Sequence, residues 1–334
     1  TAIVALSQGD VIVNVERGAV KTAVYGGSNV NGVLKKDATV TLIGGTVGDS
    51  GSPNNDVVFG GGKGAPTLVN GNVTVNVGEE GQNVATGATI HGHVYGGGAL
   101  GNTNEEWVTD TSTEPATTTL QPVANTKTLV NLYAGTINGY AYGGALGSAE
   151  TPAYVGGDVT VTLDGAKVQQ VFGANNINGT PKGHVKVHVK RTVDSAKDDS
   201  KTREQRTTYD VQAVYGGGNM ADYVPTDTEN GYAEVLIEGC QKTSINYVYG
   251  GGNAAAVPAT DVTVKGTYII NTLYGGGNGA DPDKPGADVG IYKDGETPTN
   301  YGTGKAVTKL LGGYINDVYG GSNTKGDVRG GTDV

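Results

Sequence analysis

Few side chains in this sequence carry acid–base or metal-binding chemistry, and their spacing limits what they can do. Four histidines occur: His91, His93, His184 and His188. Alternate residues of a strand share a face, so His91 and His93 would present two imidazoles side by side. A zinc site needs a third and fourth ligand, and none is signalled, so the pair is expected at a solvated or core-edge position. Lys186, His188 and Lys190 alternate in the same way, as do Glu234 and Glu238 at a wider interval. Two carboxylates four residues apart on a strand lie roughly 13 Å from each other. A glycosidase pair stands about 5–10 Å apart. If these strands are neighbours aligned on their Val/Ile sets, Glu234 faces Lys186 and Glu238 faces Lys190, an ordinary cross-strand ion pairing. No residue is assigned a catalytic role.

Three other groups have the composition of ligand sites. Asp281, Asp283 and Asp288 cluster in one loop around Pro282, Lys284 and Pro285. Calcium favours such carboxylate-rich loops, although the third acidic position and terminal Glu of an EF-hand are missing. Calcium is the one cofactor the sequence suggests. Trp107, the only tryptophan, stands beside Glu105 and Glu106 in a Thr/Glu-rich stretch running from about Leu100 to Thr128. It reads either as an exposed sugar or peptide anchor or as a cover for the flank of the fold. Tyr292 and Tyr301 lie in a second long insertion, about Gly279 to Lys305. The Gly runs lack the Gly-Lys-Ser/Thr and following helix of a phosphate-binding loop.

The elements that must position these groups follow from composition and repetition. Gly makes up 58 of 334 residues and Pro only 11, without the period of three that collagen requires. Short alternating runs of Val, Ile, Leu and Tyr argue against disorder and for an all-β class. The formal net charge is −10 and no block of Lys/Arg appears, so a nucleic-acid partner is not expected. The apolar runs are too short to insert into a membrane as helices. The single Cys240 forbids an internal disulfide. The chain opens on Thr1 and without a signal segment. It is therefore expected to be a mature piece of a longer precursor, located outside the cell or on its surface.

Nine segments share an aliphatic–aromatic–Gly core, with the aromatics Tyr25, Phe59, Tyr95, Tyr142, Phe172, Tyr215, Tyr249, Tyr274 and Tyr319. The shortest repeat, Tyr249 to Tyr274, reads as three short strands: Asp261–Lys265, Gly266–Ile270 and Leu273-Tyr274. Asn138, Asn246, Asn271 and Asn316 each follow an Ile and precede an aromatic strand. They are expected at sharp corners, where Asn tolerates the left-handed conformation. Glycine after each aromatic is expected to supply positive φ and close approach. A second Asn row follows the Gly run at Asn29, Asn219, Asn253, Asn278 and Asn323. Stacked coils would place each set in a file about 4.8 Å apart. The aromatic file is then structural, its faces occupied by neighbouring rings.

About 25 residues per turn, three short strands and Asn corners resemble the right-handed parallel β-helix of pectate-lyase-like enzymes and bacterial adhesins. The Val-Tyr-Gly-Gly-Gly-Asn form also resembles repetitive surface proteins of gut-type bacteria. The handedness follows from the rule for parallel crossovers. The expected architecture is therefore one right-handed parallel β-helix over residues 1–334, about nine coils with loop insertions, cut from or continuing into a longer array. Because no catalytic constellation appears among the residues, the expected function is a non-enzymatic adhesin or stalk scaffold, binding glycan or a host or bacterial surface protein through flank loops. A polysaccharide lyase or glycoside hydrolase on the same fold is one alternative. A head-to-tail filament subunit, associating end to end, is the other.

Overall fold

The computed structural model describes residues 5–51, 55–193, 202–205, 207–227, 229–280, 286–292 and 300–334, with the side chains of 5, 291, 292, 300 and 301 excepted. The alternating Val/Thr runs form one ten-stranded parallel sheet whose spatial order is the sequence order. Its strands are Val11–Val15, Ala38–Leu42, Val73–Val77, Lys127–Leu132, Asp158–Asp164, Val185–Arg191, Ala233–Ile237, Thr260–Val264, Ala306–Leu310 and Thr332–Asp333. Sequence order preserved across a parallel sheet means that each coil lies on the one before it. The protein is a parallel β-helix.

A twelve-stranded sheet faces the first. From Thr136 onward each coil contributes one strand to it: Thr136–Tyr142, Lys167–Phe172, Val211–Tyr215, Ser244–Tyr249, Ile269–Tyr274 and Ile315–Tyr319. The second and third strands read from the sequence are thus a single strand in these coils. In the first three coils the same path is broken in two, as in Thr89–Ile90 and His93–Tyr95. The third face is elsewhere. It begins as Ala5–Ser7, Gly32–Leu34, Thr67–Val69 and Asn102–Thr103. It then thins to single bridges such as Thr103 to Val155 to Pro181 and Val257 to Val289 to Val328.

Side-chain alternation decides what is buried. Val40, Leu42, Val73, Val75, Val77, Val159, Val161, Leu163, Val185, Val187, Val262 and Val264 all point into the stack and are buried. Val11 and Val13, on the first coil, are only partly covered. No coil closes its own apolar face, so stability is a sum over neighbouring coils. Both terminal coils leave apolar groups in the open: Leu6 and Ile12 at one end, Leu310, Leu311 and Tyr319 at the other.

The nine aromatic rings form an unbroken file with centroids 4.5–5.2 Å apart. The rings point away from the main core, yet Phe59, Tyr95, Tyr142, Phe172, Tyr215 and Tyr249 are buried. Ala99, Ala213, Leu146, Tyr140 and Tyr247 cover them.

Two expectations are corrected here. Asn138, Asn246, Asn271 and Asn316 are inside strands and not at corners. The non-Gly residues with positive φ among those described are Asn104, Asn125 and Cys240. What the mid-strand position offers instead is a carboxamide ladder: Asn316 donates to Asn271, Asn271 to Asn246 and Asn246 to Gln212, at 2.9–3.2 Å. Nor does the glycine after each aromatic need positive φ. A Cβ there would collide with the glycine carbonyl of the next coil, as at Gly96 on Gly143 and Gly216 on Gly250. Close backbone approach is the reason for the glycine.

The second Asn row includes Asn176, which the sequence did not suggest, leaves out Asn29, and runs in one direction. Asn323 donates to Asn278, Asn278 to Asn253, Asn253 to Asn219 and Asn219 to Asn176, at 2.8–2.9 Å. Asn176 donates to the Tyr95 hydroxyl at 2.8 Å, and that hydroxyl donates to Asp56 at 2.6 Å. A chain of donors ending on a carboxylate is mutually polarised.

Candidate functional site

The insertion around Trp107 folds as an arm. Glu105–Asp110 pairs antiparallel with Thr117–Pro122, setting Trp107 opposite Leu120 and Thr109 opposite Thr118. The Thr109 and Thr118 hydroxyls meet at 3.0 Å. Trp107 is 58% exposed, so it does not fold back to cover the coil flank. Glu106 is half-buried beside it. Glu105 departs from its expected place on an exposed loop: it is fully buried and ion-paired to Lys182. Lys182 also lies 4.8 Å from the centre of the Tyr154 ring. Two-stranded ribbons are marginal alone, and this buried pair fixes the root of the arm to the stack.

Tyr292 and Tyr301 belong to a second antiparallel pair, Ile291–Tyr292 with Asn300–Tyr301; their side chains lie outside the described residues. Both insertions leave the stack at the same corner, after the third-face residues Thr103 and Val289 and before the ten-stranded sheet. The calcium reading loses one of its members. Asp281 and Asp283 lie outside the described residues. The carboxylate of Asp288 binds Arg329 at 2.5 Å and accepts the Asp327 backbone N–H at 2.9 Å. A guanidinium in that position competes directly with a cation.

On the outer face of the ten-stranded sheet the charges pair as cross-strand neighbours. Lys186 aligns with Glu234, and their charged atoms are 2.7 Å apart. His184 takes the other Glu234 oxygen at 3.0 Å. Glu238 departs from expectation: it binds His188 at 2.7 Å and Lys265 at 3.4 Å, in place of Lys190. The shorter imidazole sits diagonally within reach, while Lys190 is exposed. Burial lowers the pKa of His188, against the pull of Glu238.

The His184 hydrogen bond, opposed by burial and aided by Lys186, holds the Glu234 carboxyl down at about 2, from an ordinary 4.5. Its pKa is depressed by folding, so its stabilisation is complete above pH 4.5 and is lost as pH falls toward 2. Urea unfolding should therefore show a midpoint that declines over this window, with a shallower decline in Glu234→Gln. Parallel curves for the two proteins would remove Glu234 from the acid response.

His91 and His93 do share a neighbourhood, beside Asn138, Tyr140 and Gln169. Among the described residues no group of three or more His, Cys, Asp or Glu is placed to hold a metal ion. The sequence contained a signal for this spot that alternation alone does not reveal. Ile245 and Tyr249 are four positions apart, as are Ile270 and Tyr274, whereas Ile90 and Tyr95, and Ile137 and Tyr142, are five apart. The extra residue falls at Gly92 and Gly139. No helix among the described residues is long and apolar enough to cross a membrane. Compared with known proteins, the chain matches no family, no curated protein and no solved structure, so its function is read from its own residues.

Proposed function

We propose that the protein is a non-enzymatic extracellular or cell-surface scaffold. In this reading the coil stack is a rigid stalk, and the arm bearing Trp107 binds a glycan or a surface protein. The observation that carries it is an exposed indole on a rooted antiparallel arm, whereas nine of the chain's 20 Phe and Tyr rings are packed in one file. Indole presents a wide flat apolar face with one polar edge. Leu120 opposite and the Thr109/Thr118 hydroxyls on the same side of the ribbon extend that face with both apolar and hydrogen-bonding groups. Loops and arms that leave a rigid scaffold are the usual binding elements.

A glycan array probed with the wild-type chain and Trp107→Ala tests the reading. Wild type should bind a defined subset, and the variant should lose about tenfold or more in affinity. Thermal melting should be unchanged, because the indole lies in solvent. Equal binding by both proteins would end the role of the arm.

A further inference from the structure

The register of the twelve-stranded sheet breaks twice within a short stretch. His93 pairs with Asp56 while Val94 pairs with Val58, which leaves Val57 bulged. Two coils further on, Ile137 pairs with Val168 and Tyr140 with Gln170, so Asn138 and Gly139 together oppose Gln169. Later coils keep continuous register, as between Val211–Tyr215 and Ser244–Tyr249. Bulges re-aim side chains and concentrate beside binding sites.

Between these two breaks lies a recess of about 250 Å³, whose lining includes Asp49, His91, His93, Asn138, Tyr140 and Gln169. Its floor is backbone. Gly92 and Gly139 both line it, and they approach so closely that a Cβ at Gly139 would stand 2.5–2.6 Å from the Gly92 carbonyl and His93 Nδ1.

The polar groups around the recess are set by their other contacts. His93 Nδ1 accepts the Tyr140 backbone N–H at 2.8 Å, which puts the proton of the neutral ring on Nε2. Burial lowers the pKa of this imidazole and keeps it neutral. His91 Nδ1 lies 3.1 Å from Asn138 Nδ2. With the amide donating, His91 Nε2 carries its proton and Asn138 Oδ1 is left to accept. The Gln169 side chain has no hydrogen-bond partner among the described residues and is exposed. The His93 and Tyr140 rings stand 4.9 Å apart, tilted by 33°.

We propose that this recess is a binding subsite for a single neutral pyranose ring. Sugar hydroxyls both donate and accept, and the recess offers imidazole N–H donors beside carboxamide oxygens. The tilted ring pair can take the C–H face of a sugar. Among the described residues no Lys or Arg lines the recess and Asp49 does, which disfavours an anionic guest. Its volume lies below the roughly 300–1,000 Å³ of sites for drug-sized ligands, which limits the guest to one ring. The proposal does not depend on the Trp107 arm.

The test uses the full chain labelled with ¹⁵N-histidine, titrated with glucose, galactose, mannose and N-acetylglucosamine into the tens of millimolar. At least one sugar should shift the His91 and His93 ring nitrogens and leave those of His184 and His188 in place. Gln169→Ala should weaken that sugar about fivefold, the loss of one hydrogen bond, with an unchanged melting temperature. Trp107→Ala should bind it as wild type does. The proposal is overturned if no sugar moves His91 and His93, if all four histidines move together, or if Gln169→Ala binds with wild-type affinity.

Discussion

Val161→Asp is expected to abolish the cooperatively folded rod. Val161 lies mid-strand in the ten-stranded sheet, in register with Val130 on one side and Val187 on the other. It has no solvent exposure and belongs to the main apolar cluster between the two large sheets. A carboxylate placed there meets neither a cation nor water. It must ionise at great cost or be protonated and still lack partners. The loss should be about 4 kcal/mol or more, of a total that for folded domains is about 5–15 kcal/mol.

In a stack of coils the damage also spreads, because each coil derives its stability from the interfaces on both sides. Far-UV circular dichroism and thermal melting of the purified variant are the readout. Thr160→Asp is the control: Thr160 is the adjacent residue on the outer face, half-buried, with Lys186 as its cross-strand neighbour. It should melt within about 1 kcal/mol of wild type. If Val161→Asp folds and melts like that control, the two-sheet core described above is wrong.

The legible and illegible parts of this fold divide along a physical line. Val159-Thr160-Val161-Thr162-Leu163 declared its buried face because a sheet with one dry side imposes a period of two. The aromatic file declared itself because each ring needs a like neighbour one coil away. The third face gave no such signal, since in the later coils it narrows to one bridging residue per coil, as at Val155, Pro181, Val257 and Val289, and one residue has no period. Asn was read as a corner residue because its amide satisfies local backbone groups. The same amide satisfies another amide across 4.8 Å of strand spacing, and the sequence does not separate these uses. Glu105 was misplaced for a different reason: its partner Lys182 is 77 residues away, beyond any local window, and its Thr/Glu-rich surroundings describe the tip of the arm instead of its root. The recess beside His91 and His93 was legible as a one-residue excess between Ile and aromatic, but only by counting along each coil and comparing.

Gly216→Ala, a change of one methyl group, should cost about 3 kcal/mol, the upper end for overpacking a close-packed interior. The backbone N–H of Gly216 donates to the Tyr249 carbonyl of the next coil at 3.0 Å, which holds the two coils at sheet spacing. A Cβ at Gly216 would lie far inside contact with the carbonyl oxygen of Gly250. It would also stand 3.1 and 3.2 Å from Val235 Cγ2 and Ala233 Cβ. A flexible side chain could swing aside, but a backbone carbonyl held in a parallel ladder cannot. The same geometry recurs at Gly26, Gly60, Gly96, Gly143, Gly173 and Gly250, so a local shift would be carried into neighbouring coils.

Helix and turn arguments for glycine do not apply here, because the φ of Gly216 is not positive; the clash alone sets the cost. Gly321→Ala separates clash from composition. Gly321 lies in the same motif of the last coil with nothing within 4 Å of its added carbon, and the change should stay within about 0.5 kcal/mol of wild type. Chemical denaturation of the two single variants measures the contrast. Equal midpoints for Gly216→Ala and Gly321→Ala would mean that the coils do not approach each other through their glycines.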